Sequence, residues 1–364
     1  MTHKDCSARQ PWVGAGVCSK FAKACQSILF AMLASSSSST AAAAEQDKVV
    51  ISDTAYTHAQ WLVEVEPGRR LNLYCLGHGT PTVVFESGLT DETVTWALVQ
   101  PAIAAHTRAC SYDRAGIGYS DPQRRPGDSA NVVDDLHRLL TAASIKPPYV
   151  LVGHSLGGMH VRLYADVYPK EVAGMVLVDP SHEDWEEQGW KLDLQQRTRE
   201  QYFAWDKQEF QDQRDCAKAA EAGFVEGSET YKKCVPPANP LLSDPINAAY
   251  RKTHLSVGYQ RAQMTEQESY QHASTAEVRA GRRWYGAMPL IVLAAGNRTG
   301  RRPDETQAHR DAVNRVWFSL YDQLAALSTR GINRVVPNAG HDIPMTQPDA
   351  VSDAILEVLK EAQP

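Results

Sequence analysis

Five consecutive residues, Gly153-His154-Ser155-Leu156-Gly157, form a G-x-S-x-G pattern. They follow an apolar run, Tyr149–Val152, and precede a helical pattern over Met159–Tyr168 that Pro169 closes. A strand that enters a helix through so short a turn lifts the central side chain clear of the strand end, with its hydroxyl exposed. The flanking residues must be small because the backbone passes close to itself there. The chemistry on offer is attack by Ser155 on a carbonyl carbon. The backbone N–H of Leu156, at the start of the helix, points where an oxyanion would form.

A serine hydroxyl needs a base to become a nucleophile. His341 is the best placed. It lies in Asn338-Ala339-Gly340-His341-Asp342, after the apolar run Ile332–Val336 and just before the last helical pattern. A loop at the end of a final strand can reach the end of a central one. His154 and His160 belong to the turn and its helix, and cannot easily turn onto Ser155.

These residues need a scaffold, and the pattern supplies one. Short apolar runs at Gln60–Val65, Arg70–Leu76, 81–85, Arg108–Tyr112, Tyr149–Val152, Ala173–Val178, Pro289–Ala294 and Ile332–Val336 read as strands. Helices are predicted over Ser129–Ile145, where Val132, Val133, Leu136, Leu139 and Leu140 fall at helical spacing, and over 348–360 behind Pro348. Strands that are apolar throughout and alternate with helices predict an α/β fold, a mostly parallel sheet covered on both faces.

Residues 183–285 break this rhythm. They are polar and aromatic, with Trp185, Trp190, Trp205 and Trp284 among them, and show no clear strand. Because the strand pattern resumes afterwards, this stretch reads as a helical lid inserted into the sheet domain. The division is then 1–44 leader, 45–182 first part of the core, 183–285 lid and 286–364 second part of the core. Aromatic side chains there would either wall an apolar pocket or only anchor the lid to the core.

Composition narrows the function. The chain has 364 residues, 37 Lys plus Arg against 43 Asp plus Glu, and a net charge of −6. Apolar residues make up 43% and charged ones 22%, which excludes a disordered chain or a small disulfide scaffold. The acidic balance argues against a nucleic-acid partner. No H-E-x-x-H or cysteine-rich spacing suggests a metal, and no P-loop or early G-x-G-x-x-G suggests a nucleotide, so no cofactor is expected.

The first residues read as an address. Lys20 and Lys23 precede an apolar stretch, Ala24–Ala34, then a serine run and Ala41–Ala44. That order fits a secretory signal peptide with cleavage before Glu45. A periplasmic or extracellular protein without an integral membrane segment is expected, with a mature charge of about −9. Of the seven cysteines, Cys75, Cys110, Cys216 and Cys234 remain after cleavage, and an exported compartment permits disulfides. Four cysteines allow three pairings, and four free thiols are the alternative. Cys216 and Cys234 are near enough in sequence to close a local loop.

From about residue 56 onward the chain resembles the α/β-hydrolase family. The segments that carry the likeness are Phe85-Glu86-Ser87-Gly88-Leu89, 112–120 (Tyr-Asp-Arg-Ala-Gly-Ile-Gly-Tyr-Ser), Gly153–Gly158, Val176–Pro180 and Gly340-His341. The resemblance implies an eight-stranded sheet and the chain order Ser155 then His341. It implies neighbouring strands for Cys75 and Cys110, hence a disulfide between them. It implies a second oxyanion donor, the N–H of Leu89, although Ser87-Gly88 stands where many members have His-Gly. It leaves two acids for the triad. Members usually place it after the strand matching Pro289–Ala294, where Asp304 is the first carboxylate; a minority place it after the preceding strand, where Asp179 lies. The expected activity is that of a serine hydrolase acting on a small carboxylic ester, lactone or amide. The alternatives are a peptidase releasing N-terminal residues, in which Glu183, Asp184, Glu186 or Glu187 would grip the α-amino group, and a non-catalytic receptor on a hydrolase scaffold.

Overall fold

The computed structural model describes residues 49–192, 198–202, 204–297 and 306–362. The leader and Asp304 fall outside the described residues.

Eight strands form one sheet: β1 Trp61–Glu66, β2 Arg69–Leu76, β3 Thr82–Glu86, β4 Ala109–Tyr112, β5 Tyr149–His154, β6 Val172–Val178, β7 Leu290–Ala295 and β8 Gly331–Val336. Their spatial order is β1-β2-β4-β3-β5-β6-β7-β8. β1, β2 and β4 pair antiparallel, and the remaining neighbours are parallel. The strand carrying the serine motif is therefore central.

The apolar runs are strands because both sheet faces are covered. Along β5 and β6, Leu151, Met175 and Leu177 point into one core, and Val150, Val152, Val176 and Val178 into the other. Side chains alternate between faces, so a strand buried twice must be apolar at every position. Helix α1 (Gln100–Ala104) and the C-terminal helix lie on the second face; α2 (Ser129–Ala142) and α3 (Gly157–Val167) lie on the first. The Asp128 side chain caps α2 by accepting from the N–H of Asn131 at 2.8 Å, which satisfies one of the orphan donors of the first turn.

Between β6 and β7 the described chain is helical: α4 Trp185–Lys191, α5 Arg199–Tyr202, α6 Ala204–Ala222, α7 Glu229–Cys234, α8 Asp244–His254, α9 Val257–Ser269 and α10 Thr275–Gly281, with a π-helical turn, Tyr270–Ser274, between the last two. Among the described residues three helices follow β7: α11 Gln307–Ala325, α12 Ile343–Thr346 and α13 Pro348–Glu361. The sequence pattern did not signal α11, because only Leu320, Tyr321, Leu324 and Ala325 at its C-terminal end are buried.

Both expected disulfides are present, Cys75–Cys110 and Cys216–Cys234. Cys75 and Cys110 are directly opposed on β2 and β4. Near the start of the described chain, Ile51 inserts beside the helical segment. Its N–H donates to Leu241 O at 2.8 Å, and its carbonyl accepts from Ser243 N–H at 2.9 Å. Ile51, Tyr56, Leu242 and Ile246 share a small apolar cluster.

Candidate active site

The turn between β5 and α3 is held in a left-handed conformation, with Ser155 at φ +51°. Such a φ is uncommon for a residue with a side chain and costs on the order of 1–3 kcal/mol. Three backbone hydrogen bonds maintain it: Ser155 N–H donates to Val178 O, and Ser155 O accepts from Gly158 and Ser181 N–H. The glycines are needed for space. A Cβ on Gly153 would lie 2.5 Å from Gly157 O, and one on Gly157 would lie 2.4 Å from Glu86 O and 2.6 Å from Ser87 O. The serine turn is thus pressed against the end of β3.

Beside it runs the turn Ser87–Asp91. A Cβ on Gly88 would lie 3.3 Å from Ser155 Cβ, so this turn borders the serine directly. Thr90 adopts φ +60°. Ser87 ties the turn down: its hydroxyl accepts from Trp96 Nε1–H at 3.0 Å and donates to Glu92 O at 3.3 Å. Among the described residues, neither Leu89 N–H nor Leu156 N–H donates a hydrogen bond. Both amides stay free beside Ser155.

His341 follows β8 and comes within reach of the end of β6. Its Nδ1–H donates to Asp179 Oδ2 at 2.6 Å. Asp179 is fully buried, while the His341 side chain is 43% exposed. The other carboxylate oxygen of Asp179 accepts from Ala295 N–H at 2.9 Å and from the Tyr321 hydroxyl at 3.0 Å. Three donors on one carboxylate fix its plane and compensate its burial. Asp179, one of the two acids considered from sequence, is brought to His341; the other, Asp304, lies outside the described residues. No hydrogen bond joins Ser155 Oγ to His341 among the described residues.

His154 packs against this pair. Its ring centroid is 4.8 Å from that of His341, and its Nε2–H donates to the His341 carbonyl at 3.1 Å. Its Nδ1 faces Asp91 Oδ2 at 3.6 Å. Burial works against a charged ring there, but Asp91 and the His341 carbonyl outweigh it and hold the pKa above the ordinary histidine value. Behind Asp91, Glu92 is buried and accepts from the Thr253 hydroxyl at 2.9 Å. Burial pushes its pKa up to about 8, so the acid form prevails at neutral pH. His254, stacked on Tyr259 at 3.9 Å, is driven by burial to about 3 and stays neutral.

A larger ionic cluster lies under the Ser87–Asp91 turn. Arg114 donates to Glu86 Oε1 at 2.8 Å, to Glu266 Oε1 at 2.6 Å, and to the carbonyls of Ser87 (2.9 Å) and Gly88 (2.6 Å). Glu266 Oε2 accepts from Thr90 N–H at 2.9 Å. Asp113 and Arg114, inside the 112–120 segment, read from sequence as pairing with each other or with the loop, with no catalytic part; Glu266 and Tyr321 gave no signal in the sequence.

A family model for the alpha/beta hydrolase fold matches residues 81–348. The chain belongs to the α/β-hydrolase family. This hydrolase is 26% identical over 282 residues to YqjL of Bacillus subtilis (strain 168), an uncharacterized protein, covering 78% of this chain and 85% of that one. It is 29% identical over 128 residues to the (lyso)-N-acylphosphatidylethanolamine lipase of Mus musculus, a match spanning 33% of this chain and 34% of the lipase. Among solved structures, the α/β hydrolase resembles a candidate lipase from Acinetobacter baumannii (TM-score 0.57, 18% identity, 85% of this chain and 93% of that one). It also resembles the epoxide hydrolase CorEH (TM-score 0.53, 17% identity, 84% and 99%). At such identities the likeness is one of fold.

Proposed function

We propose that this α/β hydrolase is an exported serine hydrolase that cleaves a small carboxylic ester through an acyl-enzyme. The observation that carries the reading is the 2.6 Å contact of His341 Nδ1 with buried Asp179, at the same ends of the central strands where Ser155 stands in its strained turn.

In this mechanism Ser155 Oγ adds to the ester carbonyl carbon while His341 Nε2 takes its proton. The resulting oxyanion is held by the N–H groups of Leu89 and Leu156. Asp179 keeps the imidazole in the Nδ1–H tautomer and stabilises it once charged. Collapse expels the alcohol, which receives the proton from His341. Water, deprotonated by the same ring, then attacks the acyl carbon and releases the acid and Ser155. An oxyanion donor of this kind is worth about 10²–10³ in rate.

The helices of residues 183–285 act as the lid that shapes the acyl or alcohol pocket, and the flanking parts of the chain form the core. Export is supported by the two disulfides, which persist in oxidising compartments. No helix among the described residues is long and apolar enough to cross a membrane.

Two of the four carboxylates offered for the aminopeptidase reading, Glu183 and Asp184, are engaged by arginines. Glu183, offered as a grip for an α-amino group, is bound bidentately by Arg162 at 2.7 and 2.9 Å and also by Arg282. Burial would raise its pKa, but the arginine pairing lowers it to about 2. Asp184 pairs with Arg279 at 2.9 Å. An aspartate nucleophile of the epoxide-hydrolase kind is replaced by Ser155.

The test is labelling of purified protein with a fluorophosphonate, mass mapping of the adduct, and a screen of p-nitrophenyl esters. The expected result is an adduct on Ser155 with ester turnover. Absence of both overturns the reading in favour of a non-catalytic receptor.

A further inference from the structure

The turn after β3 that carries Leu89 is not held by the sheet alone. Its two carbonyls, Ser87 O and Gly88 O, are gripped by one guanidinium, that of Arg114. The next amide on, Thr90 N–H, is gripped by one carboxylate, that of Glu266. Arg114 and Glu266 bind each other through two contacts, Nε to Oε1 at 2.6 Å and Nη2 to Oε2 at 3.0 Å. The free amide of Leu89 is thus bracketed on both sides by the same ion pair.

Glu266 belongs to α9, which lies in the insertion between β6 and β7. That helix is clamped to the loop after β4. A Cβ on Gly116 would lie 2.8 Å from Ala262 Cβ, and one on Gly127 would lie 2.7 Å from Glu266 Cγ. Thr265 Oγ1 accepts from Gly127 N–H at 3.1 Å and contacts Gln123. Arg114 and Glu266 are 3% and 2% exposed. On the sheet side Glu86 completes the cluster, accepting from Arg114, from the Tyr112 hydroxyl and from His160.

We propose that Arg114 and Glu266 are positioning residues for the oxyanion site, so that the seating of α9 sets where the Leu89 N–H points. The inference rests on the ester-hydrolase reading. The physical case is that a peptide plane is oriented by what its neighbours bond to. Here those neighbours bond to a charged, bidentate pair, whose hydrogen bonds are shorter, stronger and geometrically more specific than neutral backbone ones. Loosening the pair tilts the turn and weakens a donor that matters only when charge develops on the carbonyl oxygen. The loss therefore falls on kcat and not on ground-state binding.

Glu266→Gln keeps the shape and the acceptor for Thr90 while removing the charge; Glu266→Asp keeps the charge and shortens the reach. Active sites are counted with a fluorophosphonate, and kcat and KM are measured per counted site on p-nitrophenyl acetate. Affinity is measured for a trifluoromethyl ketone, which adds Ser155 Oγ reversibly and places an oxyanion in the site. The expected outcome for both variants is a fall in kcat of about ten- to a hundredfold. KM stays within about threefold, and ketone affinity weakens in step with kcat. The proposal is overturned by kcat per counted site within about twofold of the parent, whatever the melting temperature does, or by a change confined to KM. If neither variant folds, amide exchange on the unaltered protein decides: Thr90 and the amides of α9 should share one opening, with protection equal within about tenfold. A Thr90 amide that opens independently overturns the coupling. A parent protein that neither labels at Ser155 nor turns over esters refutes instead the hydrolase reading beneath it.

Discussion

His341 Nδ1 and Asp179 Oδ2 are 2.6 Å apart across 162 residues of sequence. Asp179 itself sits at φ +41°, one residue past the end of β6. The left-handed kink turns its carboxylate sideways, toward the loops that follow β7 and β8, instead of along the strand. Asp179→Asn would present an amide N–H to Nδ1 and favour the wrong tautomer. A fall in kcat of about 10⁴ is expected, measured on the best p-nitrophenyl ester. Asp304→Asn should leave kcat near the parent value; the reverse pattern would move the acid to Asp304.

Ser155→Ala should remove ester turnover by a factor of about 10⁴–10⁶ and abolish fluorophosphonate labelling. Ser155→Gly adds a second readout. Glycine adopts φ +51° without strain, so thermal unfolding should show it stabilised by about 1 kcal/mol relative to Ser155→Ala.

Glu92 makes stability pH-dependent. Its pKa is raised from 4.5 to about 8 by burial, so the folded chain holds a proton that the unfolded chain releases. The sign follows: this contribution is complete below the unfolded pKa and is lost as pH rises toward 8. Glu92→Gln should flatten that slope. Between pH 5 and pH 9 the parent should lose stability relative to the variant by on the order of 2–4 kcal/mol, read by denaturant titration. A parallel pair of curves would show that Glu92 is ionised in the folded protein.

Reduction should cost stability at both disulfides. They close loops of 35 and 18 residues, and chain-entropy arguments give about 3–4 kcal/mol for each, slightly more for the longer. Replacing each pair by alanine and comparing melting in oxidised protein checks both magnitude and order.

The places of Ser155 at the end of β5 and of His341 in the loop after β8 were legible because the local pattern defines them. A serine between glycines after an apolar strand has one structural reading, and a histidine in the loop after the last strand has a short reach to it. The strands were legible because burial on both faces demands unbroken apolar runs. The acid stayed open between Asp179 and Asp304, since each follows a strand and sequence does not show a backbone φ. Arg114 and Glu266 were illegible as a pair, because a single polar residue on α9 looks like any solvated side chain until the β4 loop is folded beneath it. The helices of the insertion left only a weak pattern, since much of their apolar surface meets neighbours irregularly spaced along the chain.

The seat of Ile51 between Leu241 and Ser243 bears on how the chain is made. Ile51, near the beginning of the described fold, makes its backbone hydrogen bonds with a segment far downstream. During synthesis that first stretch must wait, unpaired, until most of the sheet and much of the insertion have emerged. Contacts of such long range form late and slow the search for the native state. The N-terminal strap is therefore a closing clasp: cutting it away should leave the sheet able to form while α8 loses one of its anchors.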